Sequence, residues 1–391
     1  MSTKRYGDSS GLPQQNWPTN QSQQMPANAQ TVSHDAIAMP HTQSNSAKGG
    51  PQVESSHRRK RREDRLAELT PQQVEKFTDG FDRIATNVEK VIQGKREVVE
   101  LVILALIAEG HVLIEDVPGV GKTQLAKSVA RSIDSVFQRI QFTPDLLPSD
   151  VTGVSIWDRN RSEFEFKPGP IFANIVVGDE INRASPKTQS ALLEAMEERQ
   201  VTSDGVTRPL DLPFMVIATQ NPLEHEGTYP LPEAQLDRFM MRVVIGYPSR
   251  HKELEILDTH GIRSTFLDLE PVATINEVDQ MIHTAQAVSV SQSVKTYIVD
   301  LVEGTRNHSD VMLGASPRSA LFLQRLARAR AVSQGREYIT PDDVKILAHP
   351  VLEHRMTLRP EAQMRGESLP DVLDEIMGRL RVPGTTSRIA T

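Results

Sequence analysis

The 391-residue sequence predicts an α/β fold, a doubly wound parallel sheet followed by a small all-α helical domain, with a disordered polar tail in front. Three observations predict it. Short apolar runs, HVLIED, IVVGDE and FMVIATQNP, alternate with helix-patterned segments between Thr70 and about Ser249, the rhythm of parallel β-α-β units. Beyond Ser249 the strand-like runs stop and helix-capping signals take over. Before Thr70, residues 1 to about 65 hold only Leu12, Val32, Ile37 and Val53 as large aliphatics, too few to offset the entropy of ordering the chain. The expected division is a tail over 1–65, a core over 66–248 and a helical domain over 249–385.

Composition narrows the chemistry. With no cysteine, thiolate nucleophiles, disulfides and Cys-ligated metals are excluded. The formal charge of −7 argues against nucleic-acid binding by the whole surface. No apolar run approaches the roughly 20 residues that span a bilayer, and the N-terminus lacks a secretory signal, so a cytoplasmic protein is expected. The basic run HRRKRREDR at 57–65 could bind nucleic acid, an acidic partner or a membrane surface, or be a solvated linker end.

Order begins at Thr70-Pro71, an N-cap with proline at the first helical position. Val74, Phe77, Phe81, Ile84, Val88 and Val91 then form the stripe of an amphipathic helix. A second helix runs from after Gly94 to Gly110, and HVLIED at 111–116 reads as a buried strand. VSIWDRNRSEFEFK at 154–167 alternates around a polar turn and predicts a hairpin carrying Ile156, Phe164 and Phe166; RQVTSDGVTRPLDLPF at 199–214 predicts another. Past Ser249, helices are signalled by the capping box Thr274 to Glu277, by 294–304, by Ser316-Pro317 and by Thr340-Pro341. Leu321, Leu326 and Ala329 are expected to share one helical face.

The strongest chemical signal is PGVGKT at 118–123, between a strand and the helix-patterned QLAKSVARSI. Gly119 and Gly121 allow successive backbone N–H groups to face phosphates, and the helix N-terminus adds partial positive charge. Lys122 would reach the β- and γ-phosphates and Thr123 would ligate Mg²⁺. The first glycine of the full phosphate-loop pattern falls at Asp116. Downstream, Asp179 ends an apolar strand and can hold the Mg²⁺ shell, while Glu180 can polarise a water. Asn221 ends a third strand and is able to orient water or touch the γ-phosphate. Arg238 and Arg318 are candidate phosphate-contacting cations, with surface salt-bridging as the alternative. Eleven histidines are scattered without HExxH, and His349 with His354 reads as surface or core rather than as a metal site.

These stretches in this order resemble the AAA+ ATPases, and specifically the MoxR family. EDVPGVGKT, QFTPDLLPSD, FKPGPIFANIVVGDEINRASPKTQSALLEAMEE, ATQNP, GTYPLPEAQLDRF and GASPRS carry the resemblance, which covers about Thr70 to Leu380. It implies a Walker A loop over Pro118, Gly119, Val120, Gly121, Lys122, Thr123 and Gln124, and a Walker B pair of Asp179 and Glu180. It further implies sensor 1 at Asn221, sensor 2 at Arg318, a trans-acting finger at Arg238 and an adenine pocket lined by Val91 and Ile92. ATP and Mg²⁺ are the cofactors so implied, and the partners are a hexameric ring of this chain, client protein complexes and von Willebrand A domain proteins. The hairpins of such proteins project near the ring's pore and touch clients. A nucleic-acid motor of the same fold, or a nucleotide-switched scaffold with little turnover, is the alternative. The hairpin at 154–167 mixes Arg159, Arg161 and Lys167 with Asp158, Glu163 and Glu165, which disfavours the motor.

Overall fold

The computed structural model describes residues 69–221, 228–260 and 268–383, the side chains of 256–260 excepted. The tail over 1–65 and its basic run therefore lie outside the described residues.

Helix α1 (Pro71–Glu89) opens on the expected cap: the Thr70 hydroxyl accepts from the Gln73 amide at 3.3 Å, and the Gln73 side chain accepts from the Thr70 amide at 2.9 Å. Its stripe of Val74, Phe77, Phe81, Ile84 and Val88 is buried, but Val91, expected in the same stripe, lies in the turn past the helix end. Helix α2 (Arg96–Ile107), strand β1 (Val112–Glu115) and helix α3 (Lys122–Ser132) follow. Next come β2 (Phe137–Gln141), a short α4 (Pro148–Thr152), the hairpin β3 (Gly153–Asp158) and β4 (Glu163–Pro168), β5 (Ile175–Asp179) and α5 (Pro186–Glu198). The second hairpin, β6 (Gln200–Ser203) and β7 (Val206–Pro209), precedes β8 (Met215–Gln220), α6 (Glu233–Leu236) and β9 (Met241–Val243).

Among the described residues, one sheet has five strands in the order β2-β5-β8-β1-β9, every pair parallel. Alternate residues supply its two faces. Val112, Ile114, Ile175, Val177, Met215 and Ile217 pack with α1, α2 and α3, whereas Leu113, Val176, Val216 and Ala218 pack with α5 and the base of the first hairpin. Gly178 lacks a side chain where a Cβ would come within 3.0 Å of the fully buried Phe142 ring. The register sets Glu115 beside Gln220, Gln141 beside Asp179 and Gly178 beside Ala218, so the carboxyl ends of β1, β5 and β8 share one edge.

The remaining chain forms α7 (Arg250–His260), α8 (Ile275–Ala287), α9 (Gln292–Asn307), α10 (Pro317–Ser333), α11 (Pro341–Leu352), α12 (Pro360–Met364) and α13 (Leu369–Arg379). The Thr274 to Glu277 capping box is present, and Asp343 accepts from the Thr340 amide at 2.8 Å. Two further expectations need correction. Strands do recur after Ser249: β10 (Val311–Leu313) pairs antiparallel with β11 (Thr357–Leu358), both too short for alternation to register in sequence. Leu321 does not share the buried face of Leu326 and Ala329; it is exposed, and Leu323 is buried with them. Five residues advance a helix by about 500°, which leaves Leu321 and Leu326 some 140° apart.

Candidate functional site

Strand β1 delivers the chain into the phosphate-loop sequence, and α3 begins at Lys122. Gly119 and Gly121 have φ of +87° and +92°, conformations that side-chain-bearing residues rarely adopt. A Cβ at Gly119 would meet nothing within 4 Å, so the space above the loop is open. Near Gly121 it would meet Ile92 Cδ1 at 3.7 Å, which places Ile92 beside the loop; Val91 and Ile92 are both buried. No side chain caps α3, so its first N–H groups remain available to an anion. Pro118 and Gln124 are exposed and Val120 packs against the core.

Asp116 explains its own departure from the glycine pattern. Its buried carboxylate accepts from the amides of Val117 at 2.8 Å, Ile245 at 2.8 Å and Gly246 at 2.6 Å, tying the loop to the segment after β9. The Lys122 ammonium donates to the Asp116 carbonyl at 2.6 Å.

The acid pair stands at the end of β5. Asp179 is buried; its Oδ2 accepts from Thr123 Oγ1 at 3.1 Å and Arg139 Nε at 2.6 Å, and its Oδ1 from Thr219 Oγ1 at 3.1 Å. Glu180 turns into the left-handed region at φ +58°, and its amide donates to Thr219 Oγ1 at 3.0 Å. Its carboxylate accepts from Gln141 Nε2 at 2.9 Å and lies 3.1 Å from Arg183 Nε. Asn221 is buried one residue past β8, at the same edge. Lys122, Thr123, Asp179, Glu180 and Asn221 therefore converge.

Arg238 and Arg318 also meet, but elsewhere. Both pair with Glu197, Arg238 at 3.0 Å, and Arg318 Nε stands 3.9 Å from Asp237. Glu197 lies in the last turn of α5, next to Met196, whose carbonyl accepts from His111 Nε2 at 3.0 Å. Because His111 precedes β1, this cluster sits at the amino edge of the sheet, opposite the loop that follows β1. Within one chain Arg318 is grouped with Arg238 and not with Lys122. Ser316 and Pro317 do open α10, but the Ser316 hydroxyl donates to Asp237 at 3.0 Å and does not cap its helix.

Two buried histidines shape this region. His111 Nδ1 accepts from the Val216 amide at 2.9 Å, so Nε2 carries the proton, and burial pushes the imidazole down to about 4. His354 is held well below its ordinary value by burial and by the neighbouring Arg355 charge. His349 lies between Glu353 at 2.8 Å and Asp374 at 3.1 Å.

Arg139, Gln141, Arg183, Glu197 and the role of Asp116 are absent from the sequence reading. Arg139 and Gln141 alternate with Ile140 on β2, but only the register with β5 shows that they reach the two acids.

Residues 111–241 match the model of the ATPase family associated with various cellular activities, and 303–376 match that of the AAA lid domain. The chain is 51% identical to the YeaC protein of Bacillus subtilis over 78% of its own length and 95% of the relative's. It is 40% identical to the chaperone MoxR1 of Mycobacterium tuberculosis, covering 78% of this chain and 82% of that one. It is 30% identical to the MoxR protein of Methylorubrum extorquens, covering 78% and 96%. A crystal structure of a proposed ATPase from Cytophaga hutchinsonii superposes with a TM-score of 0.75 at 36% identity, over 85% of this chain and 99% of that one. A full-length MCM homologue from Methanopyrus kandleri, at 20% identity and a TM-score of 0.50, shares the fold alone.

Proposed function

Because the chain belongs to the MoxR family of AAA+ ATPases, we propose that it hydrolyses ATP at the interfaces of a hexameric ring and uses the cycle to remodel client protein complexes, von Willebrand A domain proteins among its partners. The observation that carries this reading is the convergence of the open glycine loop, Lys122 and Thr123 with Asp179 and Glu180 at one sheet edge. Backbone N–H groups at 119–123 would cradle the phosphates, with Lys122 turning from the Asp116 carbonyl to the β- and γ-phosphates. Val91 and Ile92 would flank the adenine.

The residues fit Mg²⁺. Thr123 and Asp179 offer two hard oxygen donors 3.1 Å apart. Among the described residues no three His, Cys, Asp or Glu side chains gather to hold a metal unaided, so phosphate oxygens and water would complete the shell. Bound there, Mg²⁺ would neutralise charge on the phosphoryl oxygens. Arg139 supplies a positive charge to Asp179 and would have to share that carboxylate with the metal. Glu180, released from Gln141, would orient and deprotonate the attacking water, and Asn221 would fix its position.

The grouping of Arg238 with Arg318 supports a refinement. Both would act on the nucleotide of the neighbouring subunit, where cations stabilise charge that develops on phosphoryl transfer. The first hairpin favours polypeptide over nucleic acid as the client. Ile156, Trp157 and Phe164 are exposed on it, and Arg161 lies 3.9 Å from Glu163 and 4.0 Å from Asp158. Among the described residues no helix is long and apolar enough to cross a membrane.

Phosphate release by the purified chain tests the reading. Turnover with Mg²⁺-ATP should be unchanged by DNA at low salt; DNA-stimulated, salt-sensitive turnover would favour the nucleic-acid motor. ATP binding with no measurable turnover would favour the scaffold.

A further inference from the structure

We propose that Asp237 and the buried Arg355 form a strut that positions Arg238 and Arg318, making both strut residues positioning residues for hydrolysis at the neighbouring subunit's site. The inference rests on the reading of those two arginines given above. Arg355 follows α11 in a short turn, and its side chain is only 2% exposed. Its guanidinium donates to Asp237 Oδ1 at 2.9 Å, to the carbonyls of Asp237 at 3.1 Å and Met240 at 3.3 Å, and to those of Phe239 and Val351. One cation thereby fixes the backbone on both sides of Arg238. The same Asp237 carboxylate accepts from Ser316 Oγ at 3.0 and 3.1 Å, at the entrance of the helix whose second residue is Arg318. A single carboxylate thus braces the flanks of both arginines, one on the core and one on the helical region.

Two energetic facts indicate that this contact does more than stabilise. Burying a guanidinium against one carboxylate gains little over apolar packing of the same volume, while breaking the pair leaves a buried charge. Ser316 forgoes the stabilisation that capping its own helix would contribute and donates to Asp237 instead. Burial pushes Arg355 down only to about 10, so it remains charged at neutral pH and Asp237 keeps its partner.

Mixed-subunit turnover tests the proposal, with Asp237→Asn as the main variant and Ser316→Ala as a gentler second that leaves no buried charge unpaired. Asp237→Asn should lower kcat about 10-fold or more, because a small displacement of a transition-state group is costly, with KM for ATP within about twofold. Ser316→Ala should shift kcat in the same direction by less. Mixing Asp237→Asn with Lys122→Ala should restore turnover, because the first supplies an intact loop and the second intact arginines. Arg238→Ala mixed with Lys122→Ala runs in parallel. If that control recovers and the Asp237→Asn mixture does not, or if Asp237→Asn and Ser316→Ala both keep the parent kcat, the strut is overturned. If the control also fails to recover, the trans reading of Arg238 falls, and the strut with it.

Discussion

Thr123 Oγ1 donates to Asp179 Oδ2 at 3.1 Å, joining the first turn of the helix after the glycine loop to the end of a strand 56 residues away. On the proposed reading, this contact sets the two protein donors to Mg²⁺ side by side. Thr123→Val keeps the shape and removes the hydroxyl. It should weaken Mg²⁺-ATP binding about 10-fold, the scale of a hydrogen bond to a charged group, while ATP binding in EDTA stays within about twofold. Calorimetry with and without Mg²⁺ checks this, and an equal loss in both would contradict it.

His111 should govern part of the acid limb of stability. The folded imidazole is pushed down to about 4, whereas the unfolded one titrates near 6.5, so the unfolded chain binds the extra proton between those values. Stability is lost as pH falls from about 6.5 to about 4, by about 3 kcal/mol in all. His354 contributes in the same direction, so the parent must be compared with His111→Gln. The difference in Tm between them should shift in the variant's favour as pH falls from 7 to 4; parallel curves would exclude this role.

Two glycines in the hairpins should respond differently to alanine. At Gly153, φ is +96° and a Cβ would lie 2.4 Å from the Lys167 carbonyl oxygen and 2.6 Å from the Gly169 amide, so strain and a backbone clash combine. At Gly205, φ is +74° but nothing lies within 4 Å. Gly153→Ala should cost about 3 kcal/mol and Gly205→Ala about 1. Thermal unfolding by calorimetry separates them, and equal costs would show that the hairpin base yields.

What the sequence could reveal was what depends on near neighbours. The glycine loop, the Asp179-Glu180 pair and the caps at Thr70 and Thr274 are local patterns with local causes. Arg139 on Asp179, Glu197 under two arginines and Arg355 against Asp237 are long-range pairings, and an arginine carries no mark of its partner. Asp116 departs from the glycine pattern in sequence, and its reason lies in the amides of Ile245 and Gly246, which only the fold brings to it. Leu321 is apolar but out of phase with Leu326 and Ala329 on the helix, so hydrophobicity alone does not place it.

Turnover by Glu180→Gln decides whether the acid pair at the end of β5 hydrolyses ATP. The substitution keeps the size and an oxygen that can face Gln141 and removes the carboxylate proposed as the base, so Mg²⁺-ATP affinity should match the parent while phosphate release falls about 10²- to 10⁴-fold. Release within about threefold of the parent would contradict the assignment of Glu180, and with it the proposed hydrolytic site.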